Sequence, residues 1–230
     1  MKKIFAIALG ITIAVQAFAQ NANTIKFLGI PVDGKKTEVI QQLKKKGFTY
    51  DAGEDFLSGV FNGKESNVRV SENHGRVDRI FIADANTCSA SQIKVKFNNL
   101  LWQFRDNNKY MEVEENTEIP ANEDIGYEML VHDKEYVASF YVNPIYGWTD
   151  DEKDMLVENI ARQVKARADS GQYGDLTSDE MELLLRQGVI LKVLDMIQGQ
   201  VWFKIAKFKS EYYICLYYDN LDNRPNGEDL

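Results

Sequence analysis

Alternating hydrophobic and polar positions predict a series of β-strands along the chain. The segments that show this pattern are LSGVF, SNVRV, RVDRIFIA, IGYEMLV, EYVASFYV, QVWFKIAKF and EYYICLYYD. Asn62 and Gly63 stand between the first two segments, and this dipeptide is typical of a tight β-hairpin turn. HDKE joins the fourth segment to the fifth, so we expect a hairpin there as well. The pattern predicts antiparallel strands joined by short turns.

Helical spacing of apolar residues appears between these strands. TEVIQQLKKKGF predicts a short helix that Gly47 ends. Capping-box spacing predicts three further helices, which begin after Ser89, Thr149 and Thr177. The last of them is apolar nearly all round, so we expect it to be deeply buried. The expected shared core consists of Phe97, Leu101, Met181, Leu184, Leu185, Val189, Val193 and Ile197.

A helix followed by antiparallel strands recurs near residues 35–83, 89–142 and 178–218. This order predicts an α+β fold, in which helices pack on one face of an antiparallel sheet built from helix–β-hairpin units. We expect residues 20–145 to form the N-terminal units. Residues 146–218 should add two helices and a β-hairpin on the same core, and residues 219–230 should form a polar tail that frays.

The N-terminus has the layout of a secretory signal peptide. Lys2 and Lys3 precede an apolar run from Ile4 to Val15, and Ala17-Phe18-Ala19 fits a cleavage site. We expect cleavage after residue 19 and a periplasmic or extracellular protein. The cleavage point carries no cysteine, so a lipid anchor is not expected. No later apolar run in the sequence has the length of a membrane span.

The charge balance disfavours two classes of partner. The sequence holds 27 Lys and Arg against 35 Asp and Glu, for a net charge of −8. Loss of Lys2 and Lys3 with the signal peptide makes the mature chain more acidic still. Nucleic acid and anionic lipid are therefore not expected partners.

GIPVDGKKT, residues 29–37, comes close to a phosphate-binding loop but departs from it at two positions. Lys36 stands where the pattern needs Ser or Thr, and Pro31 removes a backbone N–H that could bind phosphate. The stretch is better interpreted as an extended segment, a turn at Asp33-Gly34 and the start of a helix. We expect no nucleotide and no other cofactor.

Residues that could support metal binding or catalysis are few. His74 and His132 are the only histidines, and neither has zinc-ligand spacing, so no metal is expected. The two cysteines, Cys88 and Cys215, could form a disulfide in an exported protein or remain separate thiols. Abundant Asp and Glu leave open a carboxylate-based enzyme that acts on the cell envelope or on polysaccharides.

Several stretches of the chain resemble known families. FLGIPVDGKKTEVIQQLKKKGF followed by LSGVFNGKESNVRV, with the ending YYICLYYDNLDNRPNGEDL, resembles an uncharacterised family of small secreted proteins of Bacteroidota-type bacteria. The order of helix, turn and meandering strands in residues 25–83 is similar to β-lactamase-inhibitor-protein-like modules, which include small outer-membrane assembly lipoproteins. Those lipoproteins carry a lipid-modified cysteine that this chain lacks, and no functional residue carries over.

One face of the expected sheet is the candidate site. Side chains alternate between the faces of a strand, so the apolar set of each strand should lie under the helices. The opposite face should then carry Trp202, Lys204, Tyr213, Tyr217, Tyr141 and Arg69. Aromatic and Arg side chains commonly anchor interfaces. The alternative is that a further helix or a partner domain buries this face.

These features favour an exported protein that acts by binding a protein or glycan of the cell envelope, without catalysis. The alternatives are the envelope or polysaccharide enzyme and a structural subunit of an envelope complex.

Overall fold

The computed structural model describes residues 24–114, 117–170 and 177–225, which divide into two compact units. The larger unit contains the described residues up to Val142 and those from Gln198 onward. The smaller unit contains the described residues from Asn143 to Ile197. The predicted signal peptide, residues 1–19, lies outside the described residues. No helix in the described part of the chain is long and apolar enough to cross a membrane.

The larger unit is an α+β structure. Its helices are α1 (Lys36–Lys45), α2 (Ala90–Arg105) and α3 (Ile125–Val131). Its strands are β1 (Lys26–Phe27), β2 (Ile30–Pro31), β3 (Thr49–Asp51), β4 (Phe56–Phe61), β5 (Lys64–Asn73), β6 (Arg76–Asp84), β7 (Tyr110–Glu112), β8 (Val137–Val142), β9 (Gly199–Phe208) and β10 (Glu211–Asn220). A 3-10 turn, Leu221–Asn223, follows β10.

The described strands form one eight-stranded antiparallel sheet with the order β3-β4-β5-β6-β10-β9-β8-β7, and a small β1-β2 hairpin. The helices of this unit pack on one face of the sheet, as predicted. The apolar stripe of α2 buries Phe97 and Leu101, and the Phe97 ring meets Phe203 of β9 edge-on at 5.0 Å. α1 buries Val39 and Leu43 in the same core. The predicted α+β class and the one-sided packing are confirmed.

Local sequence explains the turns at both ends of α1 and between β4 and β5. Asn62 and Gly63 both have positive φ, 50° and 72°, which the predicted hairpin turn requires. Gly34 has a φ of 78° and precedes Lys35, the N-cap residue of α1, whose first residue is Lys36. GIPVDGKKT is therefore a turn that begins a helix, as predicted. Gly47, with a φ of 96°, follows the end of α1.

The prediction that IGYEMLV forms a strand is wrong, because these residues form helix α3. The Asp124 side chain accepts a hydrogen bond from the Tyr127 backbone N–H and caps the helix. Ile125 is its buried residue. A short apolar run has no periodicity that separates a strand from one face of a helix. HDKE consequently joins a helix to β8, and the hairpin expected there does not form.

The smaller unit is a pair of capped helices, α4 (Asp150–Asp169) and α5 (Ser178–Asp195). Thr149 and Thr177 form the two predicted capping boxes with Glu152 and Glu180. The helices approach closely at Gly188, where an added Cβ would lie 2.7 Å from Cγ2 of Ile160. A glycine inside a helix is tolerated here because it permits this contact.

The expected burial of α5 is wrong. None of its side chains is buried, and the residues expected in a deep core are only half-buried: Met181, Leu184, Leu185, Val189 and Val193, with Ile197 just beyond the helix. The helix belongs to the smaller unit, whereas Phe97 and Leu101 belong to the larger one. A two-helix unit has only one helix–helix contact, so an all-round apolar helix keeps exposed apolar side chains.

The C-terminal hairpin and the start of the tail are both part of the larger unit. β9 and β10, which the sequence grouped with the two helices, lie in the middle of the sheet. The expectation that the tail frays is corrected for residues 219–225, whereas residues 226–230 lie outside the described residues. Asn220 donates to the Val32 carbonyl at 2.8 Å, and Asn223 donates to Asp33 and to the Val77 carbonyl, each at 2.8 Å. These bonds fasten residues 220–223 to β6 and to the turn before α1.

Candidate functional site

The face of the sheet opposite the helices of the larger unit carries the second half of each strand's side chains, and we call it the outer face. Because side chains alternate along a strand, the neighbours of buried residues point to it. The alternation predicted for β5, β8, β9 and β10 is confirmed. The helix-covered face holds the buried residues Val68, Val70, Ala138, Phe140, Val142, Val201, Phe203, Ile205, Tyr212, Ile214, Leu216 and Tyr218.

One row of paired residues crosses the outer face through β5, β6, β10, β9 and β8. Arg69 pairs with Phe81, and Phe81 pairs with Tyr217. Tyr217 pairs with Trp202, which in turn pairs with Ser139. Directly opposed side chains on one face lie close enough to interact. We call Arg69, Phe81, Tyr217 and Trp202 the aromatic row.

The rings of the aromatic row pack against one another. Trp202 and Tyr217 are stacked nearly parallel, with centroids 3.8 Å apart and an interplanar angle of 6°. The Phe81 ring lies 5.0 Å from Tyr217 on the other side. All three side chains are half-buried, so no helix of the larger unit seals them. The stacking holds the rings in one conformation and leaves a rigid apolar surface on the outer face.

A buried carboxylate anchors one end of the aromatic row. Asp219, whose side chain is 1% exposed, pairs in the next row with Arg79. Each of its carboxylate oxygens accepts one hydrogen bond from the Arg79 guanidinium, at 2.6 and 2.9 Å. Its Oδ2 also accepts a hydrogen bond from Trp202 Nε1 at 2.9 Å and one from Arg224 at 2.8 Å. A buried carboxylate has lost its hydration, and these opposite charges and hydrogen bonds offset that cost. The network fixes the indole plane.

The Arg79 guanidinium connects the charged and aromatic parts of the site. It lies 5.3 Å from the ring centre of Tyr217 and 5.8 Å from that of Trp202, within cation–π range. Hydrogen bonding to Asp219 raises the pKa of Arg79 above its ordinary value. Arg79 is thus a permanent cation held beside the rings.

Asp78 adds a second carboxyl group next to Asp219. The pairing of β5 with β6 shifts between Ser71 and Glu72, so Asp78 occupies an irregular position in the strand. Its Oδ1 is buried and has no hydrogen-bond partner among the described residues. Burial is the largest influence on the pKa of Asp78 and raises it, and the Asp219 carboxylate raises it further. Backbone N–H groups of Asp78 and Arg79 and the Arg79 guanidinium oppose this rise but do not cancel it.

Three residues proposed from sequence belong to the aromatic row. Trp202 and Tyr217 form its stacked centre, and Arg69 forms its end on β5. The Arg69 side chain is exposed and donates to the Glu54 carbonyl at 3.1 Å. The structure thus brings Trp202 and Tyr217 into direct contact and leaves Arg69 at the rim.

The other three proposed residues lie on the outer face in different rows. Lys204 pairs with Cys215, Tyr141 pairs with Gln200, and Tyr213 pairs with Ala206. All three are half-buried. They extend the surface around the aromatic row and are not part of its stacked centre.

Sequence reasoning missed Phe81, Arg79, Asp219 and Arg224. Alternation in RVDRIFIA could have placed Arg79 and Phe81 on the face opposite Ile80 and Ile82. No sequence signal indicates that β6 lies beside β10, because the two strands are far apart in the chain. Arg224 was missed because it lies in a segment that we expected to fray.

Two titratable groups at the centre of the outer face, Tyr217 and Cys215, have raised pKa values. Burial raises the pKa of Tyr217 to about 12. Burial also raises the pKa of the Cys215 thiol, and Cys88 and Cys215 are free thiols, which corresponds to the second of the two expected states. The Tyr217 hydroxyl and the Cys215 thiol are therefore protonated and neutral near neutral pH. Nucleophilic attack by either group would need the phenolate or the thiolate.

Neither metal-ligand clusters nor comparisons with known proteins identify the site further. Within residues 24–114, 117–170 and 177–225, no group of three or more His, Cys, Asp or Glu could hold a metal ion. No family model, curated protein or solved structure matches the chain. The two resemblances described from the sequence remain predictions.

Proposed function

We propose that this protein is exported and acts by binding a protein partner in the cell envelope through its outer face, without catalysis. The observation that carries the proposal is the aromatic row. It combines Trp, Tyr and Arg, the residue types that contribute most to binding energy at protein interfaces. The Asp219 network holds Trp202 in place, so little side-chain entropy would be lost on binding.

The ring arrangement favours a protein partner over a glycan. Sugars stack on the free faces of aromatic rings. Trp202 and Tyr217 each use one face for the other, and Tyr217 has Phe81 on its second side. Tyr217 therefore has no free ring face, and the row offers one face of Trp202, ring edges and a guanidinium group, which suit the mixed apolar and polar contacts of a protein interface.

The binding proposal predicts a specific loss on truncation of the row. A Trp202→Ala, Tyr217→Ala double variant should stay folded and should lose the envelope protein that the wild type captures, because both anchors are removed. The measurement is capture from the native envelope fraction on immobilised protein, with circular dichroism of each variant to check the fold.

The matched control is a Trp102→Ala, Tyr127→Ala double variant. These two side chains are 46% and 52% exposed and lie on α2 and α3, which pack on the opposite face of the sheet. The control should capture the partner as the wild type does. Equal capture by the folded Trp202→Ala, Tyr217→Ala variant would exclude the outer face as the binding site.

Export predicts that the mature protein begins at Gln20. The charged residues, apolar run and Ala-x-Ala order of the N-terminus support cleavage after Ala19. Intact mass spectrometry of protein recovered from the native host should give a chain that lacks the first nineteen residues. A folded protein that retains Met1 would contradict this part of the proposal.

A further inference from the structure

A cavity of about 200 Å³ lies between α2 and the sheet, on the face opposite the aromatic row. A single water needs only about 10–15 Å³ of such space, so the cavity holds more than one or two waters. It is smaller than the roughly 300–1,000 Å³ of pockets that take drug-sized ligands. Its size therefore suits a small metabolite.

The floor of the cavity interrupts the apolar core with a polar row. Ser66 of β5 pairs with Gly59 on one side and with Asp84 on the other. Ser66 is 3% exposed. The backbone N–H of Ile214 donates to Asp84 Oδ2 at 3.1 Å and holds the carboxylate at the cavity. The next row along the sheet is apolar, with Val68 and Ile82.

The roof of the cavity is one face of α2. Lys96, Asn99, Leu100 and Gln103 are spaced at i, i+3, i+4 and i+7, so their side chains lie along one side of the helix. They combine one cation, two amides and an apolar group. Together with the floor, they surround the cavity with both signs of charge and with hydrogen-bonding groups.

Lys96 and Asp84 form a long ion pair at the wall of the cavity, so both charges are presented side by side to a ligand. Lys96 Nζ lies 3.5 Å from Asp84 Oδ2, at the outer limit of hydrogen bonding. The side chains are only 23% and 14% exposed. Partly buried charges interact more strongly than exposed ones, so each can select an opposite charge on a ligand.

We propose that this cavity binds a small zwitterion of the α-amino acid class. The ligand carboxylate would bind Lys96, and its ammonium group would bind Asp84. Its side chain would pack on Leu100 and Leu216. The exposed Lys64 also lines the cavity, so a simple cation would be repelled by two lysines, while Asp84 would repel a simple anion. A ligand that carries both charges can pair with Asp84 and Lys96 together and so matches the site best. This site is independent of the outer face.

Isothermal titration calorimetry with L-leucine and two analogues tests the ligand class. 4-Methylpentanoate lacks the ammonium group, and 3-methylbutylamine lacks the carboxylate. L-Serine, L-glutamine and L-phenylalanine extend the series to other side chains. We expect at least one amino acid to bind, and both analogues to bind at least about tenfold more weakly than leucine. Absence of binding by all four amino acids, or equal binding of leucine and either analogue, would overturn the proposal.

Two charge-removing variants test the assigned residues. Asp84→Asn and Lys96→Met should each weaken binding of the amino acid at least about tenfold, whereas Lys45→Met, on exposed α1 surface, should not. Circular dichroism checks each fold, and Lys96→Met still tests the site if Asp84→Asn does not fold. Wild-type affinity in a folded Lys96→Met variant would contradict the assignment. The Trp202→Ala, Tyr217→Ala variant should bind the amino acid normally, which separates this site from the proposed partner site.

Discussion

Asp78 and Asp219 are neighbouring carboxyl groups on the outer face, but their surroundings differ. Asp219 is surrounded by two guanidinium groups and an indole N–H. Asp78 has a buried oxygen without a hydrogen-bond partner among the described residues, and its pKa is raised by burial. A buried polar group left unpaired costs free energy. Such a cost is typical of functional surfaces, where stability and binding compete.

The raised pKa predicts how an Asp78→Asn substitution depends on pH. A carboxyl whose folded-state pKa is raised stabilises the fold below its ordinary pKa of 3.8 and loses that contribution as the pH rises through the raised value. Near neutral pH the ionised group is therefore unfavourable. We expect Asp78→Asn to unfold at higher denaturant concentration than the wild type near neutral pH, and this advantage should disappear in acid.

Chemical denaturation at about pH 7 and about pH 3 measures this difference. Asp133→Asn, at an exposed turn position with a φ of 51°, is the control because Asn also tolerates this conformation. A destabilised Asp78→Asn variant at neutral pH would mean that the carboxylate has a favourable partner in solution.

At the scale of elements, local sequence signals predicted where helices begin and which face of a strand a side chain occupies. They predicted the burial of a helix in the tertiary structure poorly. The capping boxes at Ser89, Thr149 and Thr177 form as expected, because their hydrogen bonds lie within four residues. Strand alternation also placed Trp202 and Tyr217 on one face correctly. The apolar pattern after Thr177 did not reveal how many neighbours surround the helix, since burial depends on elements far away in the chain.

The contrast between α2 and α5 predicts a difference between two leucine truncations. Leu101 is 0% exposed in the core, so Leu101→Ala should lower the free energy of unfolding by about 2–5 kcal/mol. Leu185 on α5 is half-buried, and Leu185→Ala should cost about 1 kcal/mol or less. Guanidinium unfolding followed by circular dichroism compares them. A similar large cost for both would show that α5 lies in a core after all.

At the scale of the whole molecule, the smaller unit is an insertion between two paired strands. β8 ends at Val142 and β9 begins at Gly199, and the adjacent residues Tyr141 and Gln200 are paired. The chain thus leaves and re-enters the sheet at one point. The sequence suggested three similar helix–hairpin units, but residue spacing could not show that a helical pair interrupts one hairpin.

This topology predicts that the larger unit folds without the insertion. Replacement of residues 143–197 by Asn-Gly should leave a short loop between β8 and β9, and hairpin loops of two to five residues are common. The variant should unfold cooperatively and keep the near-ultraviolet circular dichroism of the packed aromatic rings. An aggregated or non-cooperative variant would show that the sheet depends on the inserted helices.

The central claim, that the outer face binds the partner, is tested most directly at the indole of Trp202. The chain has three Trp residues, so nitrogen-labelled protein gives three indole N–H signals, assignable by single replacement of each Trp. Addition of the captured envelope protein should shift or broaden the Trp202 signal, since its indole N–H lies in the Asp219 network, and leave the Trp102 signal unchanged. An unchanged Trp202 signal at saturating partner, with Trp102 or Trp148 shifted instead, would contradict the account.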